Sequence, residues 1–171
     1  MCEDRDLESD QERHAVTLSR LTAAMPDTPH PPGAVRGPTI AVINGLQDTI
    51  EMLEFALQGA GFSTVAAQAR DVRNRIVDLA AFCKTHHVAA IIYDIAIPYE
   101  ENWKFLVELR GTEGDRLPPI VVTTTNQRAM EQVEPRAELL EIIGKPYDLA
   151  LVVAAVGRAV RSRKSDSSSV P

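Results

Sequence analysis

Short apolar segments alternate with amphipathic segments from residue 39 to residue 160. Nearly unbroken apolar runs are typical of strands in a parallel sheet that is covered on both faces, and the segments between them repeat apolar residues at helical spacing. The pattern predicts strands at 39–44, 62–67, 88–94, 120–124 and 139–143, and helices at 48–60, 70–86, 102–110, 126–134 and 148–160. This order of elements indicates an α/β fold made of βαβ units.

The two ends of the chain have a different composition. Residues 1–37 contain seven acidic residues, four prolines and few large apolar groups, and residues 161–171 are rich in serine. Such segments bury too little apolar surface to offset the entropy of ordering them. We therefore expect one domain at 38–160, preceded by a flexible acidic, proline-rich arm and followed by a disordered tail.

Charge and cysteine content narrow the class of protein. The 24 acidic and 18 basic residues give a net charge of −6, which does not favour DNA as a partner. The two cysteines are too few for a disulfide framework and fit a reducing compartment. No apolar stretch approaches the roughly 20 residues that cross a bilayer, and the acidic start of the chain is unlike a signal peptide. We expect a cytoplasmic protein with no membrane partner.

Polar residues stand where three of the predicted strands end. Asp94 ends the third strand, Thr124 ends the fourth, and Lys145 follows the fifth. Ligands of an open parallel sheet bind at the carboxyl ends of its strands. Taken singly, each residue has an ordinary structural explanation: a helix cap for the aspartate, strand propensity for the threonine and a surface turn for the lysine. Their combination at one edge favours a functional site.

The segments IIYDIAIP, PPIVVTTT and GKPYD carry these residues in order. Over residues 39–160, the chain resembles the receiver domain of two-component response regulators. The resemblance implies a flavodoxin-like, five-stranded parallel sheet in the order 2-1-3-4-5 with helices on both faces. It matches Asp94 to the phosphoryl acceptor, Thr124 to the switch hydroxyl and Lys145 to the family's lysine. It also implies a sensor histidine kinase or phosphotransfer protein as the donor, and a downstream protein as the target.

The resemblance implies a Mg²⁺ ion held by Asp94, by the backbone carbonyl of Ala96 and by an acidic pair after the first strand. In this chain, Asn44 and Gly45 occupy the positions of that pair. An amide supplies only a neutral oxygen and glycine supplies no side chain, so we expect Mg²⁺ binding to be weak or lost. We interpret the nearby Asp48 as the N-cap of the first helix rather than as a ligand.

Two functions remain open at this stage. The first is a single-domain response regulator that accepts a phosphoryl group on Asp94 and signals by docking; it is not an enzyme beyond self-catalysed phosphoryl acceptance and hydrolysis. The alternative is a pseudo-receiver, a protein-interaction module that works without phosphorylation. The missing acidic pair favours the alternative, as does Ile142, which stands where receivers commonly have an aromatic readout residue. A flavodoxin-like enzyme is disfavoured because NGLQD is not a phosphate-binding loop.

Overall fold

One five-stranded parallel sheet forms the centre of the domain. The computed structural model describes residues 37–126, 140–146 and 148–167, and the strands in these ranges lie in the order β2-β1-β3-β4-β5. This arrangement confirms the predicted sheet order, and each strand begins and ends within one residue of its predicted bounds. The strands are β1 Thr39–Asn44, β2 Ser63–Gln68, β3 Val88–Ile95, β4 Ile120–Thr124 and β5 Leu140–Gly144.

Helices cover both faces of the sheet. They are α1 Gln47–Gly59, α2 Ala69–Arg73, α3 Leu79–Thr85, α4 Tyr99–Glu113 and α5 Leu149–Ser167. The predicted helix at 126–134 falls almost entirely outside the described residues, as does the predicted arm at 1–37. None of the helices in the described ranges is both long and apolar enough to cross a membrane.

The prediction of one helix over 70–86 is wrong, because the segment forms two short helices. Arg75 adopts a positive φ of 57°, and Ile76, assigned to the apolar stripe, is 73% exposed. The Asp78 side chain then caps α3 by accepting a hydrogen bond from the Ala81 amide at 3.0 Å. The apolar spacing runs across this break because α2 and α3 pack separately on the same face of the sheet.

Two helix ends also differ from the sequence interpretation. Asp48 is not the N-cap of α1: Leu46 precedes the helix and provides no side-chain cap, and Asp48 lies exposed in the first turn. The predicted end of the last helix at residue 160 is too early, because α5 continues to Ser167. Within this extension, the Arg163 guanidinium donates to the Val88 carbonyl at 2.6 Å, which holds α5 to the start of β3.

Side chains alternate between the two faces along each strand. One face carries residues such as Ile43 and Tyr93 and packs against α2, α3 and α4. The other carries residues such as Val42, Ile92 and Val121 and packs against α1 and α5. Because this alternation continues to the strand ends, it decides which polar residues can meet at the carboxyl edge.

Candidate functional site

Asn44, Asp94 and Thr123 lie side by side at the carboxyl edge of the sheet. Asp94 pairs in register with Thr123, and β1 and β3 pair at the residues just before Asn44 and Asp94. All three continue the face that α1 and α5 cover. Asn44 and Thr123 are fully buried, and Asp94 is 8% exposed. The edge therefore places one carboxylate between an amide and a hydroxyl, with little contact with water.

The Asp94 carboxylate has two close partners. The Lys145 ammonium lies 2.8 Å from Asp94 Oδ1, and the Thr123 hydroxyl donates a hydrogen bond to the same oxygen at 2.9 Å. The backbone amide of Lys145 donates to the Thr124 carbonyl at 2.7 Å, which fixes the lysine beside β4. The structure thus brings Asp94 and Lys145 together, and charge-assisted contacts of this length are among the stronger hydrogen bonds.

The structure corrects the position of the hydroxyl. The resemblance to receiver domains matched the switch hydroxyl to Thr124. Thr124 is on the opposite face of the sheet, however, where its hydroxyl accepts a hydrogen bond from the Asn126 amide at 3.2 Å. Thr123 contacts Asp94 instead. The physical reason is the two-residue repeat of a strand: only Thr123 shares a face with Asp94.

Asn44 presents a donor rather than an acceptor at the edge. Its Oδ1 accepts a hydrogen bond from the Leu46 amide at 3.0 Å. Its Nδ2 is buried and has no hydrogen-bond partner in the described part of the chain. The oxygen that was expected to face a metal is therefore engaged by the backbone, and the group that remains available is an N–H donor.

The residues present do not fit a Mg²⁺ ion, which prefers several oxygen ligands and usually takes carboxylates. Among the described residues, Asp94 supplies the one carboxylate at this edge. Gly45 has no side chain, and the Ala96 carbonyl already accepts a hydrogen bond from Asn102 Nδ2 at 2.8 Å. Over residues 37–126, 140–146 and 148–167, no group of three or more His, Cys, Asp or Glu side chains could hold a metal.

A polar network supports the loop that follows Asp94. The Arg73 guanidinium donates to Asn102 Oδ1 at 2.5 Å, and Asn102 is 6% exposed. The hydroxyls of Tyr99 and Thr125 also contact each other across the edge. Neither Arg73 nor Asn102 was predicted as a site residue, because the two are far apart in the sequence and belong to no recognised motif.

Tyr93 lies directly before Asp94, and its side chain is on the opposite face of β3. It is 1% exposed, and its hydroxyl has no hydrogen-bond partner among the described residues. Burial raises the pKa of Tyr93 to about 12, an effect that nearby Arg73 opposes and Asp94 reinforces. The phenol therefore stays neutral over the whole physiological range of pH.

Comparisons with known proteins agree on the fold. No family model matches the sequence, and no curated protein matches it. Among solved structures, one described as a transiently phosphorylated "switch" in bacterial signal transduction superposes with a TM-score of 0.57 at 19% identity, covering 75% of this chain and 98% of that chain. A response regulator receiver domain protein from Clostridium thermocellum gives a TM-score of 0.56 at 18% identity and coverages of 74% and 97%.

The Vibrio cholerae chemotaxis protein CheY4 is similar to the same extent. It superposes with a TM-score of 0.53 at 18% identity, covering 72% of this chain and 98% of that chain. These structures are matched over nearly their whole length at low sequence identity. This chain therefore has the fold of response-regulator receiver domains, with the five-stranded parallel sheet in the same order.

Proposed function

We propose that this chain is a signalling receiver that accepts a phosphoryl group on Asp94 and passes the signal on by docking to a protein target. The observation that carries the proposal is the contact of Lys145 and Thr123 with one buried oxygen of Asp94, at the carboxyl edge of a receiver fold. By resemblance to receivers, the donor is a phosphohistidine of a sensor kinase or of a phosphotransfer protein.

The proposed reaction forms one O–P bond and breaks one N–P bond. The Asp94 oxygen not engaged by Thr123 attacks phosphorus. The donor imidazole, which carries a proton on its other ring nitrogen, leaves with the electron pair of the N–P bond as a neutral ring. Such transfers depend mainly on positioning and on electrostatic stabilisation. The Lys145 ammonium, 2.8 Å from the acceptor carboxylate, would stabilise the negative charge on the transferred oxygens.

A pseudo-receiver is the second candidate, and a specific observation favours it. The oxygen donors that would hold a divalent cation are replaced, engaged or absent at Asn44, Gly45 and Ala96. Under this alternative, Lys145 and Thr123 hold Asp94 in a fixed structure. The protein would then bind its partner in one state, without a chemical signal.

Intact mass measurement after incubation with acetyl phosphate separates the two candidates. The first predicts one phosphoryl adduct on the full chain that is absent in Asp94→Asn and retained in Asp48→Asn, a matched change at an exposed carboxylate of α1. The absence of an adduct, both with millimolar Mg²⁺ and with chelator, would overturn phosphoryl acceptance and favour the pseudo-receiver.

A further inference from the structure

Three segments that are separate in the sequence meet through two side chains near Asp94. Arg73 ends α2 and donates to Asn102 Oδ1 at 2.5 Å. Asn102 lies in the first turn of α4, and its Nδ2 donates to the Ala96 carbonyl at 2.8 Å. Ala96 is two residues after Asp94. The contacts therefore connect α2 and α4 to the loop that carries the acceptor.

The buried amide of Asn102 has both of its ends engaged, by a cation on one side and by a loop carbonyl on the other. Arg73 also lies close enough to Tyr93 to lower the pKa of that phenol against the effect of burial. The guanidinium thus lies near Tyr93, the residue before Asp94. This places a fixed positive charge close to a loop whose expected metal ligands are missing.

The loop has little packing of its own. Ala96, Ile97 and Pro98 are exposed, and Ile97 is 77% exposed although it is apolar. A loop with few buried contacts opens easily unless hydrogen bonds hold it. The Asn102 contact with the Ala96 carbonyl is consequently the principal described side-chain interaction that fixes this loop.

We propose that Arg73 and Asn102 are positioning residues that hold the loop at 96–98, and with it Asp94, in place of the divalent cation that would otherwise join the acceptor to the loop. The inference rests on the proposed function for its consequence in phosphoryl transfer, and on the described contacts for its structural part. We call the two side chains together with the Ala96 carbonyl the loop clamp.

Hydrogen exchange on the full chain tests the structural part. Asn102→Ala and Arg73→Gln should each speed exchange of the backbone amides from 95 to 101, because each removes one link of the loop clamp. Arg70→Gln is the matched control: Arg70 is on the same helix, its side chain is 73% exposed, and it pairs with Asp71. Unchanged exchange in both clamp variants would overturn the proposal.

The rate of phosphoryl transfer to Asp94 is a second readout. It separates loss of the positioning contacts from general destabilisation of the fold. We expect the adduct to form on the wild type at a rate independent of Mg²⁺. It should form about tenfold more slowly in Arg73→Gln, the size expected for loss of one hydrogen bond that positions the site. Arg73→Lys should recover part of the rate. Asn102→Ala should slow adduct formation to a similar extent, because the Ala96 carbonyl loses its side-chain donor.

The two proposals fail in different ways. A wild type without any adduct would refute phosphoryl acceptance, while the exchange experiment would still test the loop clamp. An adduct that forms at the same rate, with the same Mg²⁺ dependence, in wild type, Asn102→Ala and Arg73→Gln would refute the clamp and leave phosphoryl acceptance standing.

Discussion

Two adjacent threonines at the end of β4 have different environments although they look equivalent in the sequence. Thr123 donates to the Asp94 carboxylate, and Thr124 accepts from the backbone amide of Asn126. A hydrogen bond to a charged group contributes about 1.5–3 kcal/mol, compared with about 1 kcal/mol for a neutral one. The two hydroxyls should therefore differ in how strongly they are coupled to Asp94.

A double-mutant cycle on unfolding free energy measures that coupling. Thr123→Val keeps the shape of the side chain but removes its donor, and we expect it to cost about 2 kcal/mol in the wild type and clearly less with Asn at position 94. Thr124→Val is the matched control and should cost the same in both backgrounds. Chemical denaturation gives all the values. A coupling to Asp94 that is found for Thr124 and absent for Thr123 would contradict the geometry described here.

At the scale of the elements, the strands were predictable and the segment between β2 and β3 was not. Strands buried on both faces leave nearly unbroken apolar runs, which is why their bounds were predicted within one residue. The break between α2 and α3 has no glycine or proline to mark it: Arg75 adopts the positive φ. An apolar stripe at helical spacing therefore predicted one helix where the chain turns.

The candidate site was predictable in part, for a related reason. Asp94 and Lys145 were predicted because one ends a predicted strand, the other follows one, and both strands end at the same edge of the sheet. Thr123 was assigned to its neighbour because a motif match does not report which face a residue occupies. Arg73 and Asn102 interact across 29 positions, so that no local pattern in one sequence indicates their contact.

The carboxyl end of β1 is where this site differs from one suited to Mg²⁺, because positions 44 and 45 carry no carboxylate. Asn44→Asp combined with Gly45→Asp should tighten Mg²⁺ binding by about tenfold or more, or about 1.4 kcal/mol, because two carboxylates return to the edge. The change at position 45 is accommodated: a Cβ there meets no atom within 4 Å. Isothermal titration calorimetry with Mg²⁺ is the measurement.

The matched control places the same two charges at the other end of α1, as Gln58→Asp with Gly59→Asp. Both positions are exposed, so this variant should bind Mg²⁺ as the wild type does. Equal Mg²⁺ affinities in the edge variant and in the control would show that the end of β1 does not face Asp94.

At the scale of the whole molecule, a buried thiol and a buried phenol in the same core cluster make the free energy of unfolding depend on pH in the alkaline range. Burial raises the pKa of the Cys83 thiol to about 12, with Arg163 opposing the effect, and raises that of Tyr93 to about 12. Above the ordinary pKa of each group, the unfolded chain releases its proton and the folded chain keeps it. Unfolding free energy therefore falls as pH rises from about 9 towards 12.

Tyr93→Phe isolates the contribution of the phenol. The variant should be about 1 kcal/mol more stable at neutral pH, because it removes a buried hydroxyl without a described partner. Between pH 10 and 12, it should lose about 2 kcal/mol less than the wild type, because the pKa of Tyr93 rises from 10.0 in the unfolded chain to about 12 in the folded one. Denaturation curves at stepped pH give both numbers. If the variant lost as much unfolding free energy at alkaline pH as the wild type, burial would not be raising the pKa of Tyr93.

Chemical trapping of an acyl phosphate tests the central claim most directly. The wild-type chain is incubated with acetyl phosphate and then reduced with sodium borohydride, which converts a phosphorylated aspartate to homoserine. Peptide mass spectrometry then locates the homoserine in the sequence. Phosphoryl acceptance at the edge predicts homoserine at position 94 and at no other carboxylate. Homoserine at another position, or none in a chain that is shown to be folded, would contradict it.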